Sequence, residues 1–421
     1  MVGAFRFVAR TVGCIACAAL ATLPGTAMAA YATPVAVPGY APIGCATTAA
    51  PAPAVSDPAT TPWAVAASGV DSLPAVANGA GQTVAVIDSG VVTLPSFDDR
   101  VLHGRDFLGS TDGRTDCVGH GTAVASIIAA SAVAGQGFRG LAPEAKILPV
   151  RVSNAELAGD EVSGDATTPA GLGNAITWAV DHGADILNIS VVVGVDNGTL
   201  RAAVRRAVNR GVIVVASVGN SHSDSGTDPT PYPAAYPGVI GVGSIDSTGA
   251  RSASSEVGPF LDVNAPGGGV TADRLPNGLG TFDGTSFAVP YVAATVALVR
   301  QEYPTLSASQ VASRIFDTAD PPPVGADAAD YGHGIVDPYR AVAGALPAAD
   351  LGAPSPTSAT AGALANAGAT ATAGAADAGR QRPVVAIAAL ASLVILGFAL
   401  MLAAASRRHQ DRLGRRTPTT P

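Results

Sequence analysis

The sequence predicts an α/β fold in which a mostly parallel sheet carries helices on both faces. Two observations lead there. From residue 83 onward, short apolar runs of strand length alternate with longer runs of helical length, the rhythm of strand–helix–strand units. Polar residues with glycine neighbours also fall where strands end, as in Asp88-Ser89-Gly90 and Gly219-Asn220. Open α/β sheets place ligand chemistry at those ends. A chain of 421 residues is long enough to bury such a core.

Taken in order, residues 1–29 read as a secretory signal. Arg6 and Arg10 give a positive start, residues 11–23 are mostly apolar, and Ala27-Met28-Ala29 is a small-residue cleavage site. Residues 30–62 are rich in Pro, Ala and Thr and show no hydrophobic period, so they form either an extended segment lying on a folded body or a flexible arm. The first strand is expected at 83–87, running into Asp88. A small-residue helix follows at 122–132, a strand at 145–152, a helix at 171–182 and a strand at 184–193. An Arg-rich helix at 199–210 carries Arg201, Arg205, Arg206 and Arg210 and reads as a solvated face. Strands are expected at 212–218 and 239–245. Further helices start at Ser286 and Ser307, the second with Gln310 completing a capping box, and a last one ends near Ala345.

Beyond residue 346 the pattern changes. Residues 347–382 are mostly Ala, Gly, Thr, Ser and Pro and read as a linker. An uninterrupted apolar or small-residue run over 384–405 is long enough to span a bilayer. Arg407, Arg408, Arg412, Arg415 and Arg416 follow it, which puts the tail in the cytoplasm and the main body outside. The leader demands the same topology. The net charge of −8 argues against a nucleic-acid partner. His103, His182, His222, His333 and His409 lack ligand spacing, so neither a metal nor a cofactor is expected.

Three stretches carry chemistry. Phe282-Asp283-Gly284-Thr285-Ser286-Phe287-Ala288-Val289-Pro290 places a serine at a helix start, where free N–H groups and the helix dipole favour negative charge. A serine there is also a common helix cap. Gly119-His120-Gly121-Thr122 sets a histidine between glycines at another helix start, a poor packing residue and a good proton shuttle. Asp88 closes a strand, where an Asx turn is the alternative reading.

The order Asp88, His120, Ser286 resembles that of the subtilisin-like serine peptidases. The resemblance covers residues 63–345 motif by motif: Thr-Val-Ala-Val-Ile-Asp-Ser-Gly at 83–90, Gly-His-Gly-Thr at 119–122, Val-Ala-Ser-Val-Gly-Asn at 215–220, the segment 232–243, Ala-Pro-Gly at 265–267, and Gly-Thr-Ser-Phe-Ala-Val-Pro at 284–290. It implies Asp88, His120 and Ser286 as the catalytic residues and Asn220 as oxyanion donor. It implies a substrate channel lined by Ser190-Val191-Val192 and Ser217-Val218-Gly219. Some subtilases bind structural calcium, but surface turns account for Asp98, Asp99, Asp224 and Asp228 here. Within that family the chain is most similar to the mycosins, membrane-anchored proteases of type VII secretion. The leader paired with a C-terminal apolar span points there, as do Asp116-Cys117 before the histidine motif, Phe287 after the serine, and a short extension carrying Cys45. A Cys45–Cys117 bridge is implied. A second mycosin cysteine pair is absent, and Val192 stands where many subtilases have glycine.

The expected organisation is then a signal peptide at 1–29, an extension at 30–62, a subtilisin-like peptidase domain at 63–346, a linker at 347–382, a transmembrane helix at 383–405 and a basic cytoplasmic tail at 406–421. The expected activity is outward-facing serine endopeptidase action on proteins or peptides beside type VII secretion components. A mainly structural part in a secretion complex and a general cell-surface protease are the alternatives.

Overall fold

The computed structural model describes residues 52–344, except 73–76, 155, 159–160, 164, 224–227 and 277, and excludes the side chains of 155–164. The expected leader, linker, apolar span and tail, and Cys45, lie outside the described residues. Among those described, no helix is long and apolar enough to cross a membrane.

Eleven strands and seven α-helices are described, with three short 3-10 turns between them. The strands are β1 (Thr83–Asp88), β2 (Arg105–Asp106), β3 (Lys146–Arg151), β4 (Glu156–Ala158), β5 (Glu161–Ser163), β6 (Ile186–Ile189), β7 (Ile213–Ser217), β8 (Val239–Ile245), β9 (Val263–Pro266), β10 (Val270–Asp273) and β11 (Leu279–Phe282). The helices are α1 (Trp63–Ala67), α2 (His120–Ala129), α3 (Pro169–Asp181), α4 (Gly198–Asn209), α5 (Thr285–Glu302), α6 (Ala308–Asp317) and α7 (Pro338–Ala343). Seven strands form one sheet in the order β2-β3-β1-β6-β7-β8-β9, and every pair in it is parallel.

The strands read as continuous apolar runs because both faces are covered. Alternate residues enter different cores. Val84 and Val86 of β1, with Ile213 and Val215 of β7, pack among α2 and α5 residues such as Ile127 and Val292. Ala85, Ile87, Val214 and Ala216 point the other way, among Leu172 and Ile176 of α3 and Leu200 and Val204 of α4. Helix α5 is buried nearly all round from Phe287 to Val299, which explains why it is apolar on every face rather than striped. Arg206 of α4 and Arg210, just beyond its end, pair with Asp181, and Arg201 of α4 pairs with Asp196.

From β1 the chain moves to β3 on one side and later returns to lay β6 on the other. The connections therefore diverge at the carboxyl ends of β1 and β6, and a crevice opens there. Asp88 ends β1. Strand β6 is shorter than expected and stops at Ile189. Beyond it Ser190 bonds to α5 instead of a ladder partner, while Val193 pairs with Tyr232.

The extension does not hang free over its described part. Val55 N–H donates to the Leu279 carbonyl at 3.1 Å and Thr281 N–H to that of Pro53 at 2.9 Å, adding an edge to the β10–β11 hairpin. The expected capping box of α6 is present, with Ser307 and Gln310 bonding reciprocally.

Helix α2 lies so close to β1 that a Cβ at Gly121 would sit 2.2 Å from the Gly90 carbonyl oxygen and 3.1 Å from Asp88 Cβ. Glycine is required at 121 for this approach. Gly121→Ala is expected to lower stability by about 1–3 kcal/mol through overpacking, measured by urea unfolding. A variant as stable as the parent would show that α2 does not rest on β1 in this way.

Candidate active site

At the crevice, Asp88 Oδ1 accepts from its neighbour Ser89 N–H at 2.6 Å and stands 2.8 Å from His120 Nδ1. The Asp88 side chain is 3% exposed and that of His120 is 32%, so the acid is sealed while the imidazole reaches solvent. The His120 ring packs on Phe287, centroids 4.8 Å apart. Burial alone would depress the His120 pKa. The charge and hydrogen bond of Asp88, with a smaller contribution from Asp116, outweigh it and hold the pKa above its ordinary 6.5.

Asp116 holds this pair in place, and sequence reasoning gave it no role of its own. Its Oδ1 accepts from Gly119 N–H at 2.8 Å and Ser89 Oγ at 2.9 Å. Its Oδ2 accepts from Thr122 N–H at 2.8 Å and Thr122 Oγ1 at 2.6 Å. One buried carboxyl thus caps the start of α2 and ties it to the residue after Asp88. Its own pKa is raised, because burial outweighs these bonds. The only sequence signal was an acid a few residues before a helix start.

Ser286 is the second residue of α5, so its N–H lies among the donors that no helical carbonyl can satisfy. Pro290 sits inside the helix and has no N–H to offer the carbonyl four residues back. That carbonyl belongs to Ser286, and it accepts from Ser190 Oγ at 3.0 Å instead. Ser286 Oγ in turn donates to the Ser190 carbonyl at 3.3 Å. Asn188 Nδ2 donates to Ser190 Oγ at 3.1 Å. The serine is fastened through its backbone to the end of β6, while its hydroxyl makes one long bond.

Asn220 follows β7. Its Oδ1 accepts from Thr285 N–H at 2.9 Å and Thr285 Oγ1 at 3.0 Å, which fixes the amide and leaves Nδ2 as the donor beside the start of α5. Gly284 adopts φ of 133°, a conformation open to glycine, and lets the chain enter the helix there.

Ser286, Asn220, Ser190, Val192, Ser217 and Gly219 line one cavity of about 700 Å³. Val191 and Val218, also expected in the channel, pack into the apolar layer with α3 and α4. Sequence reasoning missed Glu256, which lines the same cavity with Pro229, Thr230 and Pro231. Asp228 is not the surface-turn acid expected. Its side chain is 3% exposed and pairs with His222 Nδ1 at 2.7 Å. Cys117 lies 3.5 Å from an Arg151 Nη, and its expected partner Cys45 falls outside the described residues. Among the described residues, no group of three or more His, Cys, Asp or Glu side chains is placed to hold a metal ion.

A doubly covered parallel sheet, with an Asp–His pair at β1 and a serine opening a buried helix, is a subtilisin-like arrangement. The model of the subtilase family, Peptidase_S8, matches residues 79–334, and the chain belongs to that family. It is 38% identical to subtilisin DY of Bacillus licheniformis, over 53% of this chain and 78% of that one. It is 32% identical to mycosin-1 of Mycobacterium tuberculosis, over 83% and 86%. The structure of the serine protease MycP1, described as an essential component of the type VII (ESX-1) secretion system, superposes with a TM-score of 0.61 at 33% identity, covering 70% of this chain and 92% of that one. Some curated relatives are spanned over as little as 55% of their own length.

The charge of Asp88 is what lifts the imidazole pKa, so an NMR titration of His120 should show a midpoint above 6.5. Asp88→Asn keeps the shape and removes the charge, and should move the midpoint down. An unmoved midpoint would show that the carboxylate and the imidazole are adjacent but not coupled.

Proposed function

We propose that the chain is an outward-facing, membrane-anchored serine endopeptidase working through Asp88, His120 and Ser286, with Asn220 as oxyanion donor, in association with type VII secretion. What supports the reading is an acid-oriented imidazole whose ring packs on Phe287, the residue after Ser286, and a fixed amide beside the helix start that carries Ser286.

The chemistry follows from the geometry. The Ser286 hydroxyl leaves the long bond to Ser190 and presents its proton to His120. As the oxygen attacks a peptide carbonyl, His120 takes that proton, and Asp88 stabilises the imidazolium at Nδ1. Negative charge builds on the carbonyl oxygen, where Asn220 Nδ2 and the Ser286 N–H donate. His120 then protonates the leaving amine. A water repeats the sequence on the acyl-enzyme, with His120 again as base.

The anchoring part of the proposal rests on the sequence: the leader, the apolar run at 384–405 and the arginines after it. The secretion part rests on the long match to mycosin-1 and the likeness to MycP1. A Cys45–Cys117 bridge would fasten the extension beside the loop that precedes His120, on the oxidising side of the membrane.

Fluorophosphonate labelling and hydrolysis of a casein or peptide substrate test the chemistry. Ser286→Ala should lose both while keeping its far-UV circular dichroism. Asn220→Ala should lose about 10²–10³ in kcat, the usual loss for one oxyanion donor. Hydrolysis that survives Ser286→Ala in purified protein would sink the assignment. For the secretion role, crosslinking and affinity purification from native membranes should recover secretion-complex subunits, and recovery of the protein alone would contradict it.

A further inference from the structure

We propose that Glu256 is a specificity-determining residue, its carboxylate selecting peptides with lysine or arginine on the acyl side of the bond to be cut. The proposal rests on the proteolytic reading above and names its substrate class.

Glu256 lines the same cavity as Ser286 and Asn220 and is 2% exposed. Its carboxyl lies directly behind Gly219. A Cβ on that glycine would fall 2.4 Å from Oε1 and 2.9 Å from Oε2. The acid therefore packs against the residue that precedes the candidate oxyanion donor, and Gly219 itself adopts φ of 104°, a conformation that favours glycine.

Its two oxygens are used unequally. Oε1 accepts from Ser221 N–H at 3.0 Å. Oε2 is buried and has no hydrogen-bond partner. A buried carboxyl oxygen without a partner is costly, and most interiors avoid it.

The neighbours do not meet that need. His222 is held by Asp228 at 2.7 Å. Asp228 is fully committed, since it also accepts from Val257 N–H at 2.7 Å and Ser223 N–H at 3.3 Å. The other lining residues, Ser190, Val192, Gly194, Ser217, Pro229, Thr230 and Pro231, bring no positive charge. Burial raises the Glu256 pKa; the Ser221 N–H lowers it, and the Asp228 and His222 charges act in opposite senses. A cation arriving from substrate would favour the ionised form.

A substrate whose carbonyl oxygen rests on Asn220 and Ser286 directs its acyl-side side chain into this cavity. A lysine or arginine stem would run along Val192, Pro229 and Pro231, with its charged end beside Glu256. Long stems cover apolar wall while the head finds a charge. Val192 lines the cavity, and its branched side chain favours an unbranched stem over a wide ring.

The test is a set of peptides identical except at that residue, carrying lysine, arginine, ε-acetyl-lysine, norleucine or glutamine. For wild type, kcat/KM for lysine and arginine is expected to exceed that for acetyl-lysine and norleucine by at least about 10-fold. Glu256→Gln should cut that ratio at least about 10-fold, with n-butylguanidinium inhibiting the wild type more strongly than the variant. The lysine to acetyl-lysine comparison needs no variant, so a Glu256→Gln protein that failed to fold would not rescue the idea. A wild-type ratio near one, a preference for glutamine, or a ratio that survives Glu256→Gln would overturn it. Fluorophosphonate labelling separates the two levels. Labelled wild type without charge selectivity overturns the role of Glu256 alone, and unlabelled wild type overturns the hydrolase reading and this proposal with it.

Discussion

The contact on which the site depends is the 2.8 Å hydrogen bond between a sealed carboxylate, Asp88, and a partly exposed imidazole, His120. It is a contact between the end of a strand and the start of a helix, so it exists only if α2 and β1 meet at very close range. Gly121 permits that range, and Asp116 holds it from the other side by bonding to Ser89, Gly119 and Thr122 together. Asp88 Oδ1 takes two donors, Ser89 N–H and the imidazole, while its Oδ2 is buried without a hydrogen-bond partner.

The second half of the site is tied to the sheet by a different device. A proline inside α5 frees the Ser286 carbonyl, and Ser190 at the end of β6 takes it up. The position of Ser286 is thereby set by two strands at once, β6 through Ser190 and β7 through Asn220 and Thr285. The hydroxyl stays only loosely engaged. Such an arrangement fastens the backbone of Ser286 and leaves its hydroxyl less constrained, as the proposed attacking role would require.

Much of this was legible in the sequence, for a physical reason. The strand 239–245 and the start of β1 announce themselves through runs of branched apolar residues, because a strand buried on both faces admits little else. Asp88, His120, Asn220 and Ser286 stand out because each is a polar residue beside glycines at an element boundary, where packing alone would not put it. What stayed hidden depends on contacts between distant segments. Glu256 sits in a Ser-Ser-Glu-Val-Gly stretch that reads as an ordinary turn, and its place behind Gly219 arises only once the chain has folded back. Asp228 looked like a surface acid for the same reason. In the sequence Pro290 stands out only as part of a motif, although its missing N–H is what joins α5 to the end of β6. The apolar run 184–193 predicts too long a strand because Ser190 leaves the sheet for a partner almost a hundred residues away in the chain.

The central claim is that one crevice brings together a nucleophile at Ser286 and donors at Asn220 and the Ser286 N–H. A crystal structure with a peptidyl boronate tests it most directly, since boron forms a tetrahedral adduct with an activated serine. The account predicts boron bonded to Ser286 Oγ, one boronate oxygen about 2.7–3.1 Å from both Asn220 Nδ2 and the Ser286 nitrogen, and the acyl-side side chain lying in the cavity that Val192 and Glu256 line. Boron bonded to another residue, or an adduct on Ser286 with its oxygen turned away from Asn220, would contradict it.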